Sequence, residues 1–179
     1  MKLLSEKLNR LLITLTRLDV AVFNFINKSI KCPLLDLVMP GFTHIAGFAS
    51  IVGIILFFML FFPSIPGKTV LGSVFFAQVT AQSIKFLVKR VRPHIKLSEV
   101  NIFSKLMLYD PSFPSAHTAT IVALSGVIAV KHPIFLPFIT VICILVGISR
   151  IYLGQHYPSD VIFGSAIGTI SAILACRIF

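Results

Sequence analysis

The sequence predicts an all-α fold, a polytopic bundle of transmembrane helices, and three observations indicate it. Hydrophobic residues make up 56% of the 179 residues and only six residues are acidic, which excludes an ordinary soluble domain and a disordered chain alike. Five apolar runs are long enough to cross a bilayer when tilted. Short segments with turn residues separate most of these runs and predict antiparallel neighbours. The predicted spans are residues 46–63, 68–88, 115–131, 133–150 and 159–177.

The N-terminal region, residues 1–45, is predicted to be amphipathic and to lie in the membrane interface. Its first part places Leu, Ile and Phe at helical spacing against several charged residues, a pattern typical of interfacial helices. A sixth span through residues 8–30 is the alternative, and it would bury Arg17 and Asp19. Since the sequence contains no internal repeat, we predict one domain over residues 1–179, with residues 46–179 as the helix bundle that carries the site.

The net charge of +10 indicates anionic partners. Nucleic acid is not among them, because the sequence has no basic stripe interleaved with exposed aromatic residues. Membrane proteins collect cations beside anionic headgroups, so we assign the charge to membrane lipids or to an anionic substrate. The cysteines are widely separated and predict neither a disulfide framework nor a metal site; they are Cys32, Cys143 and Cys176.

The predicted topology brings the unusual polar residues to one membrane face. The second and fourth spans end there, and the third and fifth begin there. Function tends to lie in such loops beside a scaffold. The residues expected to converge are Lys85, Lys89, Arg90, Arg92, Ser115, His117, Arg150, His156 and Asp160.

The cations that close the second span are Lys85, Lys89 and Arg92. Their i, i+4, i+7 spacing predicts one shared helix face. The alternative is that they are ordinary snorkelling cations at the end of a span. The segment 114–118, which opens the third span, also allows two interpretations. Ser115 can cap the helix while the free N–H groups of the first turn hold phosphate. The alternative is a plain N-cap beside an interfacial His.

Asp160 is the only acidic residue between Pro111 and Phe179, and a carboxylate among apolar residues is costly unless it has a function. At i, i+4 from His156 it can accept from one imidazole nitrogen and fix the tautomer. The other nitrogen is then free to act as a nucleophile or base. A purely structural His–Asp pair is the alternative.

Two histidines, one carboxylate and several cations on one face favour phosphate chemistry. Cations neutralise the non-bridging oxygens, one His attacks phosphorus and the other protonates the leaving oxygen. The cations would repel a divalent ion, so we predict neither a metal nor a cofactor. A silent module that binds or transports a lipid phosphate would need the cations but neither histidine. A pore would need polar residues through the whole bilayer, whereas here polarity stops at one side.

Three motifs in this chain resemble those of the type 2 phosphatidic acid phosphatase superfamily of integral membrane lipid phosphatases. They are Lys85-x6-Arg92-Pro93, Pro114-Ser115-Ala116-His117 and Ser149-Arg150-x5-His156-x3-Asp160. Ala116 departs from the family's Gly. Alanine keeps the backbone N–H and adds one methyl group, so we expect phosphate binding to be kept and room for the leaving group to be reduced.

The resemblance implies a role for each matching residue. His156 would form a phosphohistidine, oriented by Asp160, and His117 would be the general acid. The implied phosphate ligands are Lys85, Arg92, Arg150, Ser115 and the backbone amide of Ala116. Similar proteins act on phosphatidylglycerol phosphate, phosphatidic acid, isoprenoid diphosphates such as undecaprenyl diphosphate, or lipid A phosphates. Selectivity among these is expected to lie in the groove between helices and in residues 94–113.

The orientation in the membrane follows from two opposed indications. Five spans would place thirteen of the sixteen Lys and Arg residues on the face of the site, which the positive-inside rule assigns to the cytoplasm. The resemblance implies a catalytic face outside the cytoplasm. A sixth span through residues 8–30 would reduce the charge imbalance. We expect a multi-pass protein of the cytoplasmic (inner) membrane with its site facing outward.

Overall fold

The computed structural model describes residues 2–102 and 108–179, and within these ranges the chain forms helices and no strand. The all-α prediction is therefore confirmed. Residues 103–107 of the predicted selectivity loop and residue 1 lie outside the described residues. The helices are α1 (Lys2–Asn24, continued by a π-helical turn at Phe25–Ser29), α2 (Pro33–Ile45), α3 (Phe48–Phe61), α4 (Gly67–Val88), α5 (Pro93–Lys96), α6 (Ala116–Lys131), α7 (Leu136–Tyr152) and α8 (Pro158–Ile178).

The described residues contain three segments long and apolar enough to span a membrane: Gly67–Lys96, Pro133–Tyr152 and Pro158–Ile178. A fourth arises if α2 and α3, bent by 60°, count as one broken span. The apolar run at 46–63 thus corresponds to only half of a bent pair. Helix α6 is apolar but has 16 residues, about 24 Å at the usual helical rise. Five spans remain a prediction.

Helices α4, α6 and α8 pack against one another, and glycines on α8 allow its close approach to α6. A Cβ at Gly164 would lie 2.5 Å from the Ser115 carbonyl oxygen, and one at Gly168 would lie 2.5 Å from that of Ala119. Small residues four apart permit such backbone contact between membrane helices. As a result the first turns of α6 and α8 are adjacent, and the Ser115 N–H donates to the Asp160 carbonyl oxygen at 2.9 Å.

The N-terminal region is joined to the bundle by buried polar contacts. Asn27 is fully buried and donates to the carbonyl oxygens of Tyr152 at 2.7 Å and Asn101 at 3.0 Å. Its own side-chain oxygen accepts from the Asn101 N–H at 3.0 Å. On α2, Asp36 accepts from the Tyr152 hydroxyl at 2.7 Å. Much of α1 exposes apolar residues, as an interfacial helix does. The π-helical turn that follows α1 and helix α2, in contrast, both contact Tyr152 at the end of α7.

The contact between α6 and α8 is expected to be sensitive to a single methyl group. Gly168→Ala would push the added Cβ into the backbone of α6, and overpacking typically costs about 1–3 kcal/mol. Thermal unfolding of the detergent-purified protein measures the effect. Gly53→Ala on α3 is the matched control, since nothing lies within 4 Å of its added Cβ. An equal change in both variants would contradict the proposed contact.

Candidate active site

Four helix ends and the α7–α8 turn bring the predicted residues to one region. Lys85 closes α4, Arg92 precedes α5, His117 lies in the first turn of α6, and Arg150 lies in the last turn of α7. The prediction that Lys85, Lys89 and Arg92 share a helix face was wrong. Helix α4 ends at Val88, and Lys89 adopts the left-handed conformation with φ 49°, so the chain turns before it reaches Arg92.

Arg92 is almost fully buried and is held by main-chain acceptors. Its Nε donates to the Asp110 carbonyl oxygen at 2.6 Å, and its Nη1 donates to that of Gln155 at 2.9 Å. The same Nη1 lies 3.3 Å from Nε2 of His156. The guanidinium is therefore fixed beside the imidazole nitrogen that faces away from Asp160.

Asp110, which is not among the residues predicted from the sequence, joins the two cations of the first motif. Its carboxylate accepts from Lys85 Nζ at 2.5 Å and from Arg92 Nη2 at 2.8 Å. Burial alone would raise the pKa of Asp110, but the hydrogen bond from Lys85 and the charges of Arg92 and Lys85 hold that pKa below its ordinary value. A carboxylate thus sits where the motif predicts phosphate. The signal available in the sequence was that Asp110 is the only acid between Glu99 and Asp160.

Arg150 carries buried donors that are not satisfied. Its side chain is 2% exposed, and Nη1 donates to the Thr43 hydroxyl at 2.5 Å. Its Nε and Nη2 have no hydrogen-bond partner among the described residues. Buried donors are almost always paired, so this guanidinium has the capacity to bind an anion through two further N–H groups.

His156 and Asp160 are both buried, but their contact is long. Nδ1 of His156 lies 3.5 Å from Oδ2 of Asp160, and such distances are common when a catalytic site is empty. The same Oδ2 accepts from the Tyr157 N–H at 2.8 Å. Burial, with the nearby positive charges of Arg150 and Arg92, holds the pKa of His156 well below its ordinary value. This direction favours the neutral form of the imidazole.

The carboxylate of Asp160 has a second cationic neighbour that lies outside the motifs. Oδ1 accepts from Arg90 Nη1 at 2.6 Å. The Arg90 guanidinium also lies over the Tyr157 ring, 4.1 Å from its centre, a cation–π contact. Arg90 was expected to converge with the motif residues, and the structure places it against Asp160.

Ser115 serves as the N-cap of α6. Its Oγ accepts from the Thr118 N–H at 3.4 Å and lies 2.9 Å from the Thr118 hydroxyl oxygen. Both interpretations of this segment have Ser115 capping the helix, and the structure shows that cap. The N–H groups of Ala116 and His117 have no intrahelical acceptor, as at any helix start, and they remain available to an anion.

A cavity of about 420 Å³ opens beside the cations. Phe86 on its rim is 74% exposed, on the surface that a lipid would meet. The lining residues are Gln82, Lys85, Phe86, Lys89, Asp110 and Pro111. Lys85 is the predicted phosphate ligand that lines this partly apolar opening, on the side of α4.

All three motifs lie within residues 66–179, which match the sequence model of the PAP2 superfamily. The chain belongs to the PAP2 superfamily. Among its PAP2 relatives, phosphatidylglycerophosphatase B of Bacillus subtilis is 31% identical over 79% of this chain and 73% of its own length. Decaprenylphosphoryl-5-phosphoribose phosphatase of Mycobacterium tuberculosis is 40% identical over 58% of this chain. The match covers 56% of that relative, so the chain spans little more than half of its length.

The fold also matches that of a solved structure. The crystal structure of Aquifex aeolicus LpxE superposes with a TM-score of 0.81 and 28% identity, covering 89% of this chain and 95% of that one. Residues 2–65 lie outside the PAP2 sequence match, yet they supply Thr43 to Arg150. The site is therefore larger than the part of the chain that the PAP2 motifs identify.

Proposed function

We propose that this protein is a metal-independent membrane phosphatase that hydrolyses a lipid phosphomonoester or diphosphate through a phosphohistidine at His156. The observation that carries the proposal is the pair of unsatisfied donors on buried Arg150. They belong to the same cluster as Arg92 and its neighbour, the neutral imidazole of His156. An anion-binding site beside a neutral buried nucleophile is what phosphoryl transfer requires.

In the proposed first step, Nε2 of His156 attacks phosphorus and the bond from phosphorus to the lipid oxygen breaks. Lys85, Arg92 and Arg150 stabilise the charge on the non-bridging oxygens. The dianionic substrate offsets the positive charge of the site, so that His117 can carry the proton that passes to the leaving oxygen. Asp160 supports the imidazole as it becomes positively charged.

In the second step, water attacks the phosphohistidine and gives its proton to His117. The N–P bond breaks, inorganic phosphate leaves, and His156 returns to its neutral form. For a diphosphate the leaving group is the lipid monophosphate, and the residues act in the same way. No step needs a metal ion, in keeping with the three cations that surround the phosphate.

The proposed substrates are lipids that end in a phosphate. The names of two relatives support this class. One is named as a phosphatase of decaprenylphosphoryl-5-phosphoribose, and the other is named as a phosphatidylglycerophosphatase. The partly apolar opening beside Phe86 suits access by a substrate whose chains remain in the bilayer. We place the protein in the cytoplasmic membrane as a multi-pass protein with its site facing outward.

The deciding experiment measures phosphate release by the purified protein with EDTA present. The panel contains phosphatidylglycerol phosphate, phosphatidic acid, undecaprenyl diphosphate, lipid A and a decaprenyl phosphosugar phosphate. Release from one lipid that survives EDTA supports the proposal and identifies the substrate. Release that EDTA abolishes would contradict the metal-independent route, and no release from any lipid would favour a binding module.

Asp110 is expected to compete with substrate for Lys85 and Arg92. An internal anion lowers the apparent affinity for phosphate, because only the molecules in which that anion has left the site can bind phosphate. Asp110→Asn should therefore tighten inorganic phosphate binding by about 10-fold, an order-of-magnitude figure for losing one such competitor. Calorimetric titration measures this, with exposed Glu99→Gln of the same loop as the control. Weaker binding would instead mean that Asp110 holds the two cations in place.

A further inference from the structure

The carboxylate of Asp19 joins helix α1 to the candidate active site. Its Oδ1 accepts from the Ser159 N–H at 2.9 Å, and its Oδ2 accepts from the Ser159 hydroxyl at 2.6 Å. Ser159 is the second residue of α8, and Asp160 is the third. A carboxylate at a helix N-terminus satisfies free N–H groups and is favoured by the helix dipole. Asp19 thus caps, from another helix, the turn that carries Asp160.

Asp19 also shares a guanidinium with Asp160. Arg90 donates through Nη2 to Asp19 at 2.6 Å and through Nη1 to Asp160 at 2.6 Å. Nη1 donates in addition to the Ser159 hydroxyl at 2.7 Å. The four side chains therefore form a closed network of two carboxylates, one guanidinium and one hydroxyl.

The burial of this network makes its charges interdependent. Asp160 is fully buried, the Asp19 side chain is 9% exposed and that of Arg90 is 26% exposed. A buried carboxylate needs a compensating cation, and Arg90 is the cation that contacts Asp160 most closely. Without Asp19, Arg90 would act on Asp160 alone; without Arg90, two carboxylates would face each other.

Apolar packing fixes α1 in this position. Phe23, one turn beyond Asp19, is fully buried, and its ring centre lies 5.7 Å from that of Tyr157. Tyr157 is the N-cap residue of α8 and also lies under Arg90. The same helix thus touches both the polar and the aromatic side of the turn between His156 and Asp160.

We propose that Asp19 is a positioning residue of the active site, which through Ser159 and Arg90 holds Asp160 in the orientation that directs His156 Nε2 toward phosphate. The role rests on the proposed function, since it matters for turnover only if His156 is the nucleophile. It makes α1, which lies outside the PAP2 sequence match, part of the catalytic apparatus rather than a membrane anchor alone.

Asp19→Asn is the test, because the change is isosteric and removes one acceptor and one charge. A small displacement of a catalytic group costs on the order of 10- to 100-fold in rate, so kcat should fall by that factor. KM and the dissociation constant for inorganic phosphate should stay within about 2-fold, because Lys85, Arg92 and Arg150 are untouched. Asp19→Glu should recover part of the lost rate, and exposed Glu6→Gln on the same helix is the control.

The pH profile separates this role from a merely structural one. Removing the negative charge of Asp19 disfavours the imidazolium of His156, so the acidic limb of kcat/KM should move to lower pH. Arg90→Gln removes a positive charge and should move the limb to higher pH. The charged and titratable groups that act on His156 are Arg150, Arg92, Lys85, His117 and its neighbour Asp160. Arg90, Asp19 and Asp110 act on it through their contacts with Asp160, Arg90 and Arg92.

The outcomes are distinct. Unchanged kcat and an unshifted limb in Asp19→Asn would overturn the proposal, as would a parallel loss of phosphate affinity, which would mean that Asp19 supports the fold.

If wild-type protein releases no phosphate, the proposed function fails and 15N-histidine NMR decides on Asp19. The His156 signals, assigned by their loss in His156→Ala, should report one tautomer in wild type and a mixture in Asp19→Asn; identical spectra would overturn the proposal.

Discussion

His156→Ala is expected to abolish phosphate release while leaving phosphate binding largely in place. Loss of a covalent nucleophile lowers kcat by on the order of 10⁴-fold or more. The cations that bind phosphate are separate side chains, and Arg92 keeps three main-chain acceptors when the imidazole is removed. Turnover with the best lipid of the panel and calorimetric phosphate binding measure the two quantities on one preparation.

His132→Ala is the matched control, since His132 lies beyond the other end of α6 and its ring contacts the Ser64 hydroxyl at 2.7 Å. Its turnover should match that of the wild type. A phosphoprotein that survives alkaline quench in wild type and is missing in His156→Ala would identify the intermediate. Residual turnover above about 10% of wild type would contradict a phosphohistidine at this position.

Arg150→Gln should lower kcat/KM by about 10²- to 10⁴-fold. Two charge-assisted hydrogen bonds to phosphate are worth about 1.5–3 kcal/mol each, and Gln at this position supplies neither the charge nor the paired N–H groups. The loss should fall on both phosphate affinity and kcat, because the guanidinium binds the ground-state phosphate and binds the transition state more strongly. Steady-state kinetics and phosphate titration measure this.

Arg177→Gln removes the same charge at the exposed C-terminal end of α8 and should leave kcat/KM unchanged. Circular dichroism and thermal unfolding show whether Arg150→Gln remains folded, since it also loses the contact with Thr43. A folded Arg150→Gln protein with wild-type phosphate affinity would show that the unsatisfied N–H groups of Arg150 are not the phosphate ligands.

The helices could be predicted because long apolar runs and turn residues are local signals. The bent pair of α2 and α3 could not be predicted. Residues 33–45 are less uniformly apolar than the later runs and contain Pro40 and Asp36. These residues favoured the interpretation of an interfacial helix. The predicted second span, 68–88, ends where α4 ends, but the helix face expected to continue through Lys89 and Arg92 does not form. Helical spacing continues through Lys89 and Arg92 in the sequence, while the left-handed Lys89 and the proline after Arg92 end the helix.

The motif residues of the candidate site could be located because each lies at a helix end and topology brings those ends together. Their partners could not. Asp110, Asp19 and Thr43 act through contacts with residues 18 to 107 positions away, and no local pattern specifies such pairs. Ser115 shows the opposite case, since its local capping geometry was predictable and accounts for the contacts of its hydroxyl.

The buried amide of Asn27 has a practical meaning for anyone who shortens or recombines this protein. A chimera designed from residues 66–179 would retain every motif residue but would leave the Tyr152 and Asn101 carbonyl oxygens without their amide donor. Buried carbonyl groups that lose their donor would destabilise the end of α7, which precedes the turn that carries His156. The exchangeable unit therefore begins before Asp19, and grafting of substrate preference between relatives would need the first helices to move together with the motifs.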